Sequence, residues 1–350
     1  MARELEWVTT LERFDEIAPD WDALAAAERT PFVRHAWLRT WWQHRGRGPL
    51  RIAVLWDDGR ISAALPLHQS GSALQSLAGM TAFDFRLLGG EEPVRACLDL
   101  AGSACGELIL HGLPASSAGV AVLRTLPRRL VRVEHLQNEP VIPTTGTFDE
   151  YLATLSSSFR KAARRRRHKL EREHAVVADV WRRPVDLSAE LEEFLELEQR
   201  GWKGADGGAV LTMPGGLADY YRAFAGALHE LGILLLPRIE VDGKLAAAGI
   251  AIDDGNSFWS LRSAYDEELR ELGLGIDLHL RCIESCFERG YDAFELLGDD
   301  APYKRQFAPV FREQVSVYVY DLRPRPLFHF AVRRARRAVV AGLRARLASK

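Results

Sequence analysis

One feature constrains the fold more than any other: a strand–turn–strand unit that occurs twice. Arg51-Ile52-Ala53-Val54 leads through Asp58-Gly59 into Arg60-Ile61-Ser62-Ala63-Ala64. Half a chain later, Arg238-Ile239-Glu240-Val241 leads through Asp242-Gly243 into Lys244-Leu245-Ala246-Ala247-Ala248. An Asp-Gly pair between two apolar runs marks a tight hairpin, because both central residues of a type I′ turn need positive φ. Two such units in 350 residues fit the duplication of one α/β domain and a length prior of two domains. Chance similarity of two hairpins is the alternative.

Helical and strand patterns alternate elsewhere. Leu11, Phe14, Ile17, Trp21 and Leu24 recur at helical spacing, and His35 to Gln43 continues as an aromatic-rich helix. Beyond residue 147 the pattern predicts a basic helix over 157–173, capped by Ser158, and helices over 187–199, 216–231 and 276–289. Strands are predicted over 176–181, 257–264, 293–297 and 315–320. The fold class is mixed α/β or α+β, with a hairpin-rich sheet flanked by helices in each half. The predicted domains are 1–147, 148–322 and a basic amphipathic helix over 323–350. Hydrophobic residues at 47% and charged residues at 27% exclude a largely disordered chain.

The formal net charge is only −2. No acid follows Asp321, however, while nine basic residues do, so the rest of the chain is distinctly acidic. Cys97, Cys105, Cys282 and Cys286 form no C-x-x-C pair and read as reduced structural thiols. The ten histidines show no metal spacing, no G-x-S-x-G elbow occurs, and no metal is expected. The N-terminus has no basic region followed by an apolar core, and no window reads as a membrane span, so a cytoplasmic location is expected.

The chemistry-bearing stretch is Arg270-Glu271-Leu272-Gly273-Leu274-Gly275, ahead of a helix. Glycines there let backbone N–H groups approach a phosphate, the helix dipole favours the anion, and Arg270 adds a charge-assisted contact. The dinucleotide pattern fails because Leu278 stands where Gly or Ala is required, and no Walker lysine motif occurs. A tight structural turn is the bland alternative. The R-x-x-G-x-G pattern resembles the coenzyme A pyrophosphate loop of the GNAT acyltransferase superfamily. Ala264-Tyr265-Asp266-Glu267, Leu297-Gly298-Asp299-Asp300-Ala301-Pro302-Tyr303-Lys304 and Glu198-Gln199-Arg200-Gly201-Trp202-Lys203-Gly204 extend the likeness. Together they resemble the CelD-like or BioF2-like acetyltransferases, which have two GNAT-like halves and are related to Fem-type peptidyl transferases. The likeness covers 148–320 and is looser over 1–147. Glu271-Leu272-Gly273 replaces the Ser-Pro-Gly common in that group.

The resemblance implies an acyl-CoA co-substrate with its pyrophosphate on Arg270, Gly273, Leu274 and Gly275. It implies direct attack by an amine on the thioester, with the 257–264 strand serving the acyl oxygen. Tyr303 is the implied acid for the thiolate, Lys304 a contact to substrate phosphate or acyl group, and Asp299 the candidate base. Glu240 is a second candidate base. Trp202 and Lys203 are implied to line the acceptor or acyl pocket. Each has a structural alternative: a packed turn tyrosine, a surface lysine, a helix-capping aspartate, a core tryptophan. The first half lacks the loop and is expected to be non-catalytic.

The 157–173 helix carries eight Lys or Arg residues. It reads as a solvated connector near the CoA phosphates rather than a nucleic-acid site. The 323–350 tail interleaves arginines with apolar residues and fits either an anionic membrane surface or the acidic body. The leading expectation is thus an acyl-CoA-dependent N-acyltransferase acting on a small-molecule or lipid-linked amine, such as an envelope or exopolysaccharide precursor. The alternatives are a Fem-like aminoacyl-tRNA-dependent transferase and a non-catalytic membrane-associated assembly protein.

Overall fold

The computed structural model describes residues 3–77, 83–127, 129–201, 208–213 and 215–332. In chain order the first elements are β1 (Arg3–Val8), α1 (Leu11–Glu16), α2 (Ala18–Ala25), α3 (His35–Arg45), β2 (Ile52–Asp57), β3 (Arg60–Leu65), β4 (Leu67–Ser70), β5 (Ala73–Ser76) and β6 (Leu88–Gly89). Then come α4 (Glu91–Ala104), β7 (Glu107–Pro114), α5 (Ala118–Arg124), β8 (Arg129–Pro143), α6 (Phe148–Thr154), α7 (Ser157–Glu173), β9 (Val176–Asp179), α8 (Leu187–Arg200) and α9 (Leu217–Glu230). The last are β10 (Leu234–Leu235), β11 (Arg238–Val241), β12 (Lys244–Asp253), β13 (Ser257–Tyr265), α10 (Leu274–Arg289), β14 (Ala293–Glu295), α11 (Pro302–Arg305) and β15 (Val310–Asp321).

The chain folds into two compact units of mixed α/β structure. One takes residues up to Glu28, Gly46–Leu136 and the chain from Gln314; the other takes Arg29–Arg45 and Gln137–Glu313. In the first unit, β1, β2, β3 and β6 pair antiparallel in that order. Its other pairings run β4–β5–β7–β15, with β5 and β7 parallel. In the second unit, β9, β11, β12 and β13 pair antiparallel in that order, β13 and β14 run parallel, and β14 pairs with the end of β8.

Both sequence-marked hairpins form. Asp58 and Gly59 have φ of 50° and 79°, and Asp242 and Gly243 have 51° and 74°, as a I′ turn requires. The correspondence goes further than the sequence shows. In one hairpin the register slips after Leu55↔Ala63 and leaves Ser62 extra; in the other it slips after Ile239↔Ala247 and leaves Ala246 extra. Two turns of one type followed by a bulge at the same offset support duplication over chance. The strand–helix–strand succession β6–α4–β7 likewise matches β13–α10–β14.

In the second unit α10 packs on the sheet through Leu274, Leu278, Ile283 and Cys286, all buried with Phe258, Phe294 and Phe307. Phe258 and Phe294 stack at 5.1 Å across the parallel pair. That pairing covers only Ser257↔Ala293 to Trp259↔Glu295, after which β13 runs on to Tyr265 paired with β12 but no longer with β14. Leu261 is the extra residue of a bulge facing β12, between Ile250↔Arg262 and Ala251↔Ser260. The two strands therefore splay where β13 bends.

Several local expectations change. Ser156, not Ser158, caps α7 by accepting from the Phe159 N–H at 3.3 Å. Helix α10 starts two residues earlier than 276, and a 3₁₀ segment over Glu267–Leu272 separates β13 from the glycines. Helix α7 is not merely solvated. Phe159 and Leu170 are buried, and Arg167 bonds Asp277 at 2.6 Å, which also pairs with Arg281 of α10 at 2.8 Å. Of the expected 323–350 helix only 323–332 is described, and 324–332 is helical; 333–350, like Trp202 and Lys203, lie outside the described residues. No helix among the described residues is long and apolar enough to cross a membrane. The four cysteines are free thiols, three of them buried, and burial pushes the Cys97 thiol up to about 12.

Candidate active site

The start of α10 is shaped by alternating small and apolar residues. Leu272 and Leu274 turn into the core, which leaves the backbone of Gly273 and Gly275 toward a cleft. Gly273 caps the helix in the left-handed region, φ 68°, and its carbonyl accepts from the Ile276 and Asp277 N–H groups at 3.1 Å. The N–H groups of Leu274 and Gly275 lead the first turn, where no intrahelical acceptor exists. A Cβ on Gly275 would lie 2.9 Å from the Tyr265 ring, and one on Gly273 would lie 2.9 Å from Arg166 Cδ. Both positions form a cradle that any side chain would fill.

The cleft measures about 570 Å³, and Arg166, Tyr265, Arg270, His279 and Tyr303 stand around the two glycines. Glu267 also lines the cleft, and two guanidinium groups and a helix N-terminus outweigh that one carboxylate and suit the cleft to an anion. His279 is buried, with Nδ1 2.7 Å from the Gly275 carbonyl. A carbonyl only accepts, so Nδ1 carries the hydrogen and the ring plane is fixed against Phe307. Tyr303 is 45% exposed, yet partial burial still raises its phenol above the ordinary value of 10.

After β14 the chain makes a tight left-handed loop, with Leu297 at φ 50° and Gly298 at 63°. The buried Lys304 ammonium donates to the carbonyls of Leu297 and Asp299, which ties α11 to that loop. Burial lowers the Lys304 pKa, opposed by the nearby Glu139 carboxylate. Glu139 and Glu295 are buried on adjacent strands, and Arg312 pairs with Glu295 at 2.5 Å and Glu139 at 3.5 Å. Asp299 itself is exposed, its Oδ1 accepting from the Asp300 N–H at 2.8 Å.

The structure therefore brings Arg270, Gly273, Gly275 and Tyr303 to one cleft, with Leu274 contributing backbone alone. Asp299 and Lys304 are not among its lining residues. Glu240 sits on the β11 hairpin, paired with Arg238 at 3.0 Å. Sequence reading missed Arg166, Tyr265 as a wall, and His279. Arg166 had a signal: Phe159, Ala163, Arg166 and Leu170 share one helical stripe, so one cation of the basic run sits on the buried face. At the end of α8, buried Glu198 pairs with Arg262 at 2.7 Å and accepts from the Val210 N–H at 2.9 Å.

In the first unit the corresponding helix start is different. Gly90 caps α4, but Glu91 and Glu92 follow at once. The adjoining cavity measures about 140 Å³ and includes Glu28, whose carboxyl is pushed up by burial. Arg86 there is engaged by Asp84 at 2.5 Å.

Residues 157–305 match the family described as Acetyltransferase (GNAT) domain. None of the curated proteins matches the chain in sequence. Among solved structures, FemX superposes with TM-score 0.64 at 14% identity, covering 94% of this chain and 99% of FemX. A conserved protein of unknown function from Bacteroides thetaiotaomicron gives 0.60 at 16%, covering 91% and 100%. The C-terminal DUF2156 domain of a protein described as a lysylphosphatidylglycerol synthetase, from Agrobacterium fabrum, gives 0.56 at 12%, covering 91% and 96%. At these identities the likeness concerns the fold. The chain thus has a GNAT-like mixed α/β fold, and its residues 157–305 match an acetyltransferase (GNAT) domain, which supports an acyltransferase-type function.

Proposed function

We propose that the protein is an acyl-CoA-dependent N-acyltransferase of the CelD-like kind, transferring an acetyl or other acyl group directly to an amine. The observation that carries this reading is the meeting of the Gly273–Gly275 helix start, Arg270 and Tyr303 in one cleft beside the β13–β14 splay. Arg270 and the leading N–H groups of α10 hold the pyrophosphate. The stretch of β13 past Trp259, which keeps its β12 pairing but has left β14, is the proposed source of backbone N–H groups for the acyl oxygen as charge develops there. The amine nitrogen bonds to the acyl carbon as the C–S bond breaks, and Tyr303 gives its proton to the thiolate. Asp299 is the proposed acceptor of the amine proton. Lys304 holds the 297–299 loop and α11, and so fixes where Tyr303 stands.

In this reading residues 148–322 carry the acyl-CoA site and residues 1–147 are non-catalytic; the small, carboxylate-bearing cavity at the start of α4 supports the second part. Trp202 and Lys203 are proposed to line the acceptor pocket. The acceptor is proposed to be a small-molecule or lipid-linked amine, met at the cytoplasmic face of the membrane. Calorimetry with CoA and acetyl-CoA on wild type and Gly275→Trp tests the reading. Wild type binds, and the variant, whose side chain fills the cradle, does not. If wild type binds no acyl-CoA, the reading fails, and tRNA and anionic vesicles become the ligands to try.

A further inference from the structure

Helix α7 sorts its cations. Arg166 lines the acyl-donor cleft, and Arg167 is held by Asp277 and by Glu284 at 3.7 Å. A second groove, about 520 Å³, lies on another flank of the same helix; Arg167 and the acidic Asp149 contribute to its lining, and its other cations are Arg160, Lys161 and Arg164. All three are exposed, and Arg165 beside them is exposed too. The groove floor is apolar, formed by Phe148 and Leu152 of α6, Leu155, Phe159 and Leu280 of α10. A basic rim over an apolar floor complements an amphipathic helix with acidic and apolar faces.

We infer that this groove docks the acidic helix of a carrier protein bearing the acyl group as a thioester on a phosphopantetheine arm. The inference deepens the acyltransferase reading and rests on it. Both clefts share α7 as a wall, so the arm needs to cross only one helix, about 10 Å. The reaction is the same aminolysis: the amine N–C bond forms, the C–S bond breaks, and the carrier's thiolate takes the proton. A nucleic-acid backbone has no use for the apolar floor, and Phe159 is buried rather than presented for stacking on bases. A flat membrane surface does not enter a groove between helices.

The test compares kcat/KM for an acetylated acyl carrier protein and for acetyl-CoA, with an amine acceptor, in wild type and in the Arg160→Glu/Arg164→Glu double variant. The carrier is the better donor for wild type. Charge reversal lowers its kcat/KM at least tenfold and leaves acetyl-CoA unchanged, and added salt lowers only the carrier's rate. Circular dichroism and melting confirm that the variant folds. The inference is overturned if the carrier is no better than acetyl-CoA, if the variant loses both donors equally, or if it loses binding to tRNA or to phosphatidylglycerol vesicles instead. Failure of wild type with every acyl thioester, together with no effect of Gly275→Trp on CoA binding, would instead refute the underlying acyltransferase reading.

Discussion

At the scale of single residues, the cleft makes two demands that can be separated. Gly275 is required for space: its missing Cβ leaves room that Tyr265 would otherwise dispute at 2.9 Å. Tyr303, in the proposed reaction, supplies a proton. Replacing it with Phe keeps the ring and removes the donor, so kcat should fall about 10²–10⁴-fold with little change in CoA affinity. Its raised pKa fixes the sign of the pH response. A general acid works while protonated, so activity should persist through the pH where an ordinary phenol ionises, and decline only above it. Steady-state rates across the alkaline range check this, and the limb should vanish in Tyr303→Phe. Lys304 behaves differently. Lys304→Met leaves Glu139 with less compensating charge and the carbonyls of Leu297 and Asp299 without their donor. A loss of about 3 kcal/mol is expected, read by urea unfolding. The glycines stand in a loop motif readable in the sequence, and Tyr303 was marked by the separate 297–304 stretch that carries the family resemblance. Arg166 and His279 had no motif to mark them: Arg166 comes from a separate helix and meets the cleft beside Gly273, and His279 is a lone histidine of α10 held against Phe307.

At the scale of elements, local chemistry set the hairpins and helix ends. Nothing lies within 4 Å of a Cβ placed on Gly243, so Gly243→Ala meets backbone strain alone and should cost about 1–2 kcal/mol by denaturant titration. Thr147 caps α6 in a reciprocal arrangement with Glu150, at 3.2 Å and 2.8 Å. Thr147→Ala should cost about 1 kcal/mol in the same assay. The Asp-Gly turns and most strands of the second half were legible because turn residues and alternation are written locally. The bulges were not, since an extra residue is defined only against its partner strand. Nor was the early start of α10: the left-handed Gly273 caps a helix that its following glycine seemed to delay.

At the scale of the molecule, two units with matching hairpins differ where function is concerned. One helix start carries glycines and faces two guanidinium groups; the other carries adjacent glutamates. A single acyl-CoA should therefore bind per chain, which the calorimetric stoichiometry checks. A second equivalent of comparable affinity would show that the first unit is not silent. The duplication was legible in the hairpins, but the division of the chain was not. Arg29–Arg45 belongs to the second unit and the chain from Gln314 to the first, and such long-range assignments leave no periodic mark in sequence.

The final strands have a consequence for how the protein is made. β8 follows α5 of the first unit yet ends paired with β14 of the second, while β15 follows α11 of the second and pairs with β7 of the first. A nascent chain emerging from a ribosome thus exposes the edge of β7 until nearly all of its residues have been synthesised. The first unit cannot finish first, and an arrest of translation before Gln314 leaves β7 without its β15 partner.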